Sequence, residues 1–377
     1  RLRRTAAAMA GFGISERRFL PIWVTVSRLS ACSKASRAAL LPLNPALAQT
    51  LSAPAAIPAG SALDPGLIRI GGSSTVYPIL VEAIKAYRAS GQQARIDLQE
   101  SGTSDGLRRF CSGQLVIANA SRPISAKELK ACESKGISFI ELPIAFDALS
   151  VVVHPANRWA SVISTSELAR LWGRQAQGTI KRWTDVNRAW PERPISLCGP
   201  GKDSGSYDYF NKAINGAADN SRQDYTASED DNQLVSCVAN QPNALGYFGF
   251  SYYKANASRL RAVPIGTTSA SVMPSLQSVQ GGRYQPLSRP LFIYVNNQAL
   301  GQRPEVQKFV SYLVRQGLTL VQRAMVIPLP SSTYLLVETK LFKRIPGTAF
   351  AGDLPVGLSL GEVLRRSLDQ HKQQQFR

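Results

Sequence analysis

The sequence predicts an α/β protein built on largely parallel sheets and divided into two lobes. Three observations carry that expectation. Short apolar runs alternate with segments whose apolar residues recur at helical spacing. Turn-forming Gly, Ser and Asp residues punctuate the alternation. Some 280 of the 377 residues follow this pattern, more than one comfortable core holds.

The elements follow in order. Strand 67–70 precedes a helix striped by Val76, Ile79, Leu80, Ala83, Ile84 and Tyr87 and closed by Gly91. Strand 96–99 leads to a helix beginning with Leu107, Phe110 and Cys111. Strand 115–118 follows, and Ser125-x-x-Glu128 is a capping box for a helix that stops at Gly136. Strands are expected at 137–142 and 149–153, and Ser164-x-x-Glu167 opens another helix. Strand 194–197 and helix 207–214 come next, the latter ended by Gly216. Leu234, Val235 and Val238 mark one more helix. Segments 245–250, 260–263 and 290–295 read as strands, and Val306, Phe309, Val310, Leu313 and Val314 stripe a late helix. No internal repeat is evident.

The ends differ in composition. The chain carries 44 Lys+Arg against 25 Asp+Glu, a formal net charge of +19. The first 48 residues hold eight basic groups and one acid, so the remainder has 36 basic and 24 acidic groups, a net of +12. Residues 1–48 read as an export leader: Arg17 and Arg18 precede an apolar run, and Ala46-Leu47-Ala48 is a small-x-small cleavage pattern. Leu29-Ser30-Ala31-Cys32 offers a rival route, lipid anchoring through Cys32. Residues 49–66, rich in Ala, Pro, Ser and Gly, read as a flexible linker. Residues 346–377 read as a C-terminal appendage with a short helix near 359–368. No apolar stretch reaches the roughly 18 residues a membrane span needs. Without the leader four cysteines remain; Cys111–Cys132 and Cys198–Cys237 are the local pairings in an oxidising compartment, and four free thiols are the other reading.

Composition also excludes chemistry. The two histidines, His154 and His371, rule out sites needing three His ligands, and no C-x-x-C pattern supports zinc. Gly102-x-Ser104-x-Gly106 matches a nucleophile elbow, but neither histidine lies in a supporting motif. Gly201-Lys202 continues with Asp203 rather than Ser or Thr, unlike a P-loop. Ser251-x-x-Lys254 lacks the companion motifs of penicillin-recognising enzymes. Glu229-Asp230-Asp231 reads as a solvated loop or helix start rather than a metal site. Basic residues are scattered and not interleaved with aromatics, so no nucleic-acid partner is expected.

Three strand-to-helix junctions share one composition: 71–75 (Gly-Gly-Ser-Ser-Thr), 101–106 (Ser-Gly-Thr-Ser-Asp-Gly) and 199–206 (Gly-Pro-Gly-Lys-Asp-Ser-Gly-Ser). Each places hydroxyls and free backbone N–H groups at a helix N-terminus, where the dipole favours an anion. Ser121 and Arg122 follow another strand and add a guanidinium, the natural fork for an oxyanion.

These loops resemble those of the periplasmic phosphate-binding protein of the bacterial phosphate ABC transporter (PstS-type), in the branch with an Asn-Ala-Ser-Arg-Pro signature at 119–123, which includes cyanobacterial members. Similar stretches run in family order at 146–153, 225–232, 244–250 and 287–295. The resemblance implies a two-lobed periplasmic-binding-protein (type II) fold with a ligand cleft between lobes. Lobe I would take 67–145 plus 258–345 and lobe II 148–256. It implies a non-enzymatic, monomeric periplasmic receptor that binds inorganic phosphate without cofactor or metal and delivers it to an inner-membrane permease. Alternatives are another tetrahedral oxyanion, or a phosphoester hydrolase on a similar scaffold. By position, Ser74, Thr75, the Val76 backbone N–H, Thr103, Ser121, Arg122, Asp203, Ser204, Gly205 and Ser206 would form the site. Arg122 stands where the family often has Asp, and Pro200 near its anion-pairing Arg. Arg122 is therefore expected to supply the positive partner, and Asp203 the acceptor of the phosphate proton, with Asp105 and Asp147 behind it.

Overall fold

The computed structural model describes residues 66–369. The expected leader, linker and lipid-anchor cysteine, and His371, lie outside the described residues.

Twelve strands are present among the described residues. β1 (Leu67–Gly72), β2 (Arg95–Glu100), β3 (Ile117–Ala120) and β4 (Phe139–Val153) come first. β5 (Ser196–Pro200), β6 (Thr226–Ser228), β7 (Ala244–Gly249) and β8 (Arg261–Ala262) follow. β9 (Ile265–Thr267) and β10 (Ala270–Val272) form a separate ribbon, and β11 (Ser288–Asn296) and β12 (Ile327–Pro328) complete the set. The main sheet runs β2-β1-β3-β11-β4-β7-β5-β6, with β8 and β12 also on β4.

The sequence periodicities account for the elements. The helix Tyr77–Ala89 buries Ile79, Leu80, Ala83, Ile84 and Tyr87, the expected stripe. Both capping boxes form: Ser125 and Glu128 open Ala126–Ser134, and Ser164 and Glu167 open Thr165–Trp172. The helix Pro304–Arg315 buries Val306, Phe309, Val310, Leu313 and Val314. Truncating a buried Leu or Ile of these stripes to Ala costs about 2–5 kcal/mol, the transfer term plus the cavity it leaves.

β4 departs from expectation. Two strands were read where one 15-residue strand runs through, buried along its whole length. Pro143, which cannot donate to a ladder, argues for a break there. The register instead shifts between Leu291 and Phe292 on β11, and Pro143 sits at that irregularity. The bulge absorbs the proline without ending the strand.

That strand organises the two-lobed fold. Residues 139–148 of β4 pair antiparallel with β11. Residues 149–153 pair with β7. β1, β2 and β3 therefore extend one lobe and β5 and β6 the other, with β4 passing through both. Parallel pairing dominates each outer half: β1 with β2 and β3, and β5 with β6 and β7. The carboxyl ends of β1, β2, β3 and β5 carry the Gly/Ser loops, the usual ligand position in open α/β sheets.

Both local disulfides form. Cys111–Cys132 ties helix Thr103–Cys111 to helix Ala126–Ser134, and Cys198–Cys237 ties β5 to helix Asp231–Ala239. Residues beyond 345 pack on the sheet. Glu141 of β4 accepts hydrogen bonds from Thr348 Oγ1 and Ala349 N, and Phe350 is buried against Phe292. Helix Leu360–Asp369 follows.

Candidate functional site

The four loops meet between the lobes. Thr75 closes the β1 loop, and its Oγ1 lies 3.5 Å from Ser206 Oγ, near the start of helix Gly205–Asn215. Thr103 opens helix Thr103–Cys111, and its Oγ1 accepts the Ser121 N–H at 3.2 Å and lies 3.2 Å from Ser121 Oγ. Gly205 packs directly on that pair: a Cβ there would stand 2.5 Å from Ser121 Oγ and 2.6 Å from Thr103 Oγ1. Glycine is what lets this helix start approach the opposite lobe so closely. Thr75, Thr103, Ser121, Ser204 and Ser206 are all buried. Further hydrogen bonds join the lobes, from Ser104 N to Asp203 O at 2.9 Å and from Tyr252 Oη to Ser74 O at 3.0 Å.

A buried cation sits beneath the hydroxyls, and it is Arg289. It lies on β11 directly opposite Asp147 on β4 in the strand register. Its Nη2 donates to Ser206 Oγ at 2.7 Å, Thr75 Oγ1 at 3.1 Å and Asp147 Oδ2 at 2.9 Å, and its Nε to the same carboxylate oxygen at 3.1 Å. Asp147 Oδ1 accepts the Phe250 N–H at 2.9 Å. Arg289 is 0% exposed and Asp147 1%. Arg289 Nη1 has no hydrogen-bond partner among the described residues. A buried charged donor left unpaired is costly, and it asks for an acceptor. Tyr209 packs its ring 5.9 Å from the guanidinium and donates to Ser288 O at 2.6 Å; burial pushes its phenol up to about 12.

Arg122 is placed otherwise than expected. Its Nε bonds Asp208 at 2.6 Å, and its Nη atoms bond both oxygens of Glu128 at 2.8 Å, Ser104 Oγ and Pro123 O. Two carboxylates thus use its charge, and hydrogen bonds to Glu128 and Asp208 overcome burial to hold it more basic than an ordinary arginine. Burial in turn pushes Asp208 up, against the pull of Arg122. Arg122 braces the lobes rather than presenting a free fork.

Asp203 is also displaced. It is exposed, and its backbone carries the contacts: the N–H donates to Glu229 and the carbonyl accepts from Ser104. Asp105 pairs with Arg108 and Arg109. The Val76 N–H turns to Ser73 O at 3.3 Å. Ser204 Oγ caps its helix by accepting the Ser206 N–H at 3.1 Å.

The Glu229–Asp231 cluster is not simply solvated. Asp230 caps helix Asp231–Ala239, while Asp231 is 2% exposed. Its Oδ2 has no partner among the described residues, and burial pushes the carboxyl up to about 7 against the pull of the Ser74 hydroxyl. Sequence reasoning passed over Arg289, Asp147 and Asp231 as primary site residues. A readable signal existed for the first two: single opposite charges inside otherwise apolar strands (146–153 and 287–295).

A family model described as a PBP superfamily domain matches residues 58–316. Protein SphX of Synechocystis is 42% identical over 300 residues, covering 79% of this chain and 89% of its own. The phosphate-binding protein PstS of Staphylococcus epidermidis is 31% identical over 266 residues, covering 70% of this chain and 79% of its own. Among solved structures, a "possible phosphate binding protein" of Planctomyces limnophilus is 38% identical, with a TM-score of 0.56, covering 74% of this chain and 98% of its own. An ABC-type phosphate transport receptor of Vibrio cholerae shares the fold at 20% identity, with a TM-score of 0.53, covering 70% of this chain and all of its own. The chain therefore belongs to the PBP superfamily and, within it, to the PstS-type phosphate-binding proteins.

Proposed function

We propose that this protein captures inorganic phosphate between its lobes and delivers it to the permease of a phosphate ABC transporter. The observation that carries this reading is the buried Arg289, whose unpaired Nη1 lies on a guanidinium already bonded to hydroxyls of both lobes. Arg289 is the anion's cationic partner, held in place by Asp147 through Nε and Nη2. Thr75, Thr103, Ser121, Ser204 and Ser206 supply neutral donors. The lobes divide as 67–145 plus 258–345 and 148–256, and binding closes them.

Specificity over sulfate rests on a carboxylate that accepts the phosphate proton, since sulfate has none to donate near neutral pH. Asp231 takes this role rather than the exposed Asp203. Its burial and its unpartnered Oδ2 support that assignment. The protein acts as a monomeric receptor on the periplasmic side and not as an enzyme or a nucleic-acid binder. Among the described residues no helix is long and apolar enough to cross a membrane.

Titration calorimetry with phosphate, arsenate and sulfate tests the reading, alongside incubation with a chromogenic phosphoester. Stoichiometric phosphate binding without turnover supports it. A stronger response to sulfate would move the assignment to another oxyanion, and turnover would make the protein a hydrolase.

A further inference from the structure

Contact between the lobes brings together acidic groups that phosphate capture leaves unused. Glu100 ends β2 in one lobe, and Glu229 follows β6 in the other. Glu100 Oε1 and Glu229 Oε2 are buried with no hydrogen-bond partner among the described residues. Neither glutamate belongs to any ion pair described in the structure, whereas Asp105, Asp147 and Asp208 all do.

Both sit where the lobes join. Glu229 Oε1 packs on Gly201 and accepts the Asp203 N–H at 3.1 Å. The carbonyl of that same Asp203 receives the Ser104 N–H from the opposite lobe. Glu100 is the root of the second ligand loop: the next two residues, Ser101 and Gly102, both donate their N–H to Gly72 O at 3.0 Å.

The surrounding charges are mostly of one sign. Asp230, at the start of helix Asp231–Ala239, acts on Glu100. Asp203 and Asp208, from the turn and helix after β5, act on Glu229, as does Glu100 itself. Asp231 feels Glu100 and, less strongly, Arg289 and Asp147. Tyr252 from helix Phe250–Ala255 lies in the same field, together with Tyr77.

We infer that Glu100 and Glu229 form a proton-linked latch, so that closing the lobes on the ligand takes up at least one proton and ligand affinity falls as rising pH removes it. Desolvation first, and the neighbouring carboxylates second, push both groups up to about 7 from an ordinary 4.5. The sign follows from linkage. A group more basic in the closed form favours closure fully below its open-form value, and that contribution is lost as pH climbs to its closed-form value. The window therefore runs from about 4.5 to about 7, with affinity changing by up to about tenfold per pH unit for each group.

The inference rests on the two-lobed phosphate reading, and one experiment separates their failures. The full chain and the Glu100→Gln/Glu229→Gln variant are titrated with phosphate by calorimetry, in buffers of different ionisation heat, from about pH 5.5 to about 7.5. Phosphate's own ionisation is common to both proteins and cancels in the difference. Near pH 6 the unsubstituted chain should take up about one more proton per phosphate, and over this range lose at least about tenfold more affinity. Single Glu100→Gln and Glu229→Gln variants, checked by thermal melting, give the same comparison where the double variant does not fold. Equal proton counts and parallel affinity profiles would overturn the latch while leaving phosphate binding intact. Absence of phosphate binding in every chain would overturn both.

Discussion

Arg289 can be perturbed without removing its charge, which makes it the sharpest test of the site. Arg289→Lys keeps a cation beside Asp147 but loses the fork that reaches Thr75, Ser206 and Nη1's missing acceptor at once. Hydrogen bonds to charged groups contribute about 1.5–3 kcal/mol each. Truncating one member of a desolvated, hydrogen-bonded charge contact costs about 2–5 kcal/mol. A loss of about 2–4 kcal/mol is therefore expected, or roughly 30- to 1000-fold in phosphate affinity. Arg289→Ala alone would mix this with a folding defect, because it strands Asp147, 1% exposed, as an unpaired buried charge at a cost of about 3–5 kcal/mol. The double variant Arg289→Met/Asp147→Asn avoids that, since Asn still offers an acceptor to the Phe250 N–H. Calorimetry reads the affinity and a thermal melt confirms folding. Folded variants that bind phosphate as tightly as the unsubstituted chain would refute Arg289 as the cationic partner.

Other perturbations have expected outcomes as well. Arg122→Ala frees Glu128 and Asp208 from their shared guanidinium; it should cost about 2–4 kcal/mol of stability, lowering the melting temperature by roughly 5–10 °C, while affinity changes far less than in Arg289→Lys. Gly205→Ala places a methyl within 2.6 Å of Ser121 Oγ and Thr103 Oγ1; overpacking of about 1–3 kcal/mol should weaken phosphate by roughly 5- to 150-fold with little effect on the melt, and unchanged calorimetric affinity would contradict the close approach. Asp231→Asn should cut the preference for phosphate over sulfate by about tenfold or more. In the unsubstituted chain sulfate should compete better as pH falls through about 7, because the protonated Asp231 no longer repels it; competition titrations at two pH values read both effects. Reducing Cys111–Cys132 and Cys198–Cys237, which close separations of 21 and 39 residues, should remove about 3–4 kcal/mol each by loop entropy, visible as a lower melting temperature with reductant.

The periodic elements were legible because each reports on local burial. The stripe on helix Tyr77–Ala89 and the two Ser-x-x-Glu caps needed no knowledge of partners. The hydroxyl loops were legible for a similar reason: Gly and Ser at a strand-to-helix junction dictate backbone donors whatever lies opposite. β4 runs on through 143–148, where the sequence reading leaves a gap, because its pairing with β11 continues past the register shift. The helix-start reading of 229–231 holds, but the burial of Asp231 was not legible, because a run of acids looks solvated.

The cation shows the limit most plainly. Ser121-Arg122-Pro123, just past the end of β3, and Ser288-Arg289-Pro290, at the start of β11, are the same tripeptide on two neighbouring antiparallel segments of the sheet. No local rule separates them. Arg122 is consumed by the capping Glu128 of the following helix and by Asp208 from the other lobe. Arg289 meets Asp147 across the β4–β11 register, which engages its Nε and Nη2 and leaves Nη1 unsatisfied. Strand order and register, properties of the assembled sheet, decide which guanidinium keeps an unsatisfied nitrogen among the described residues. Loop motifs alone therefore could not single out the proposed cationic partner; that choice required the three-dimensional partners of each guanidinium nitrogen.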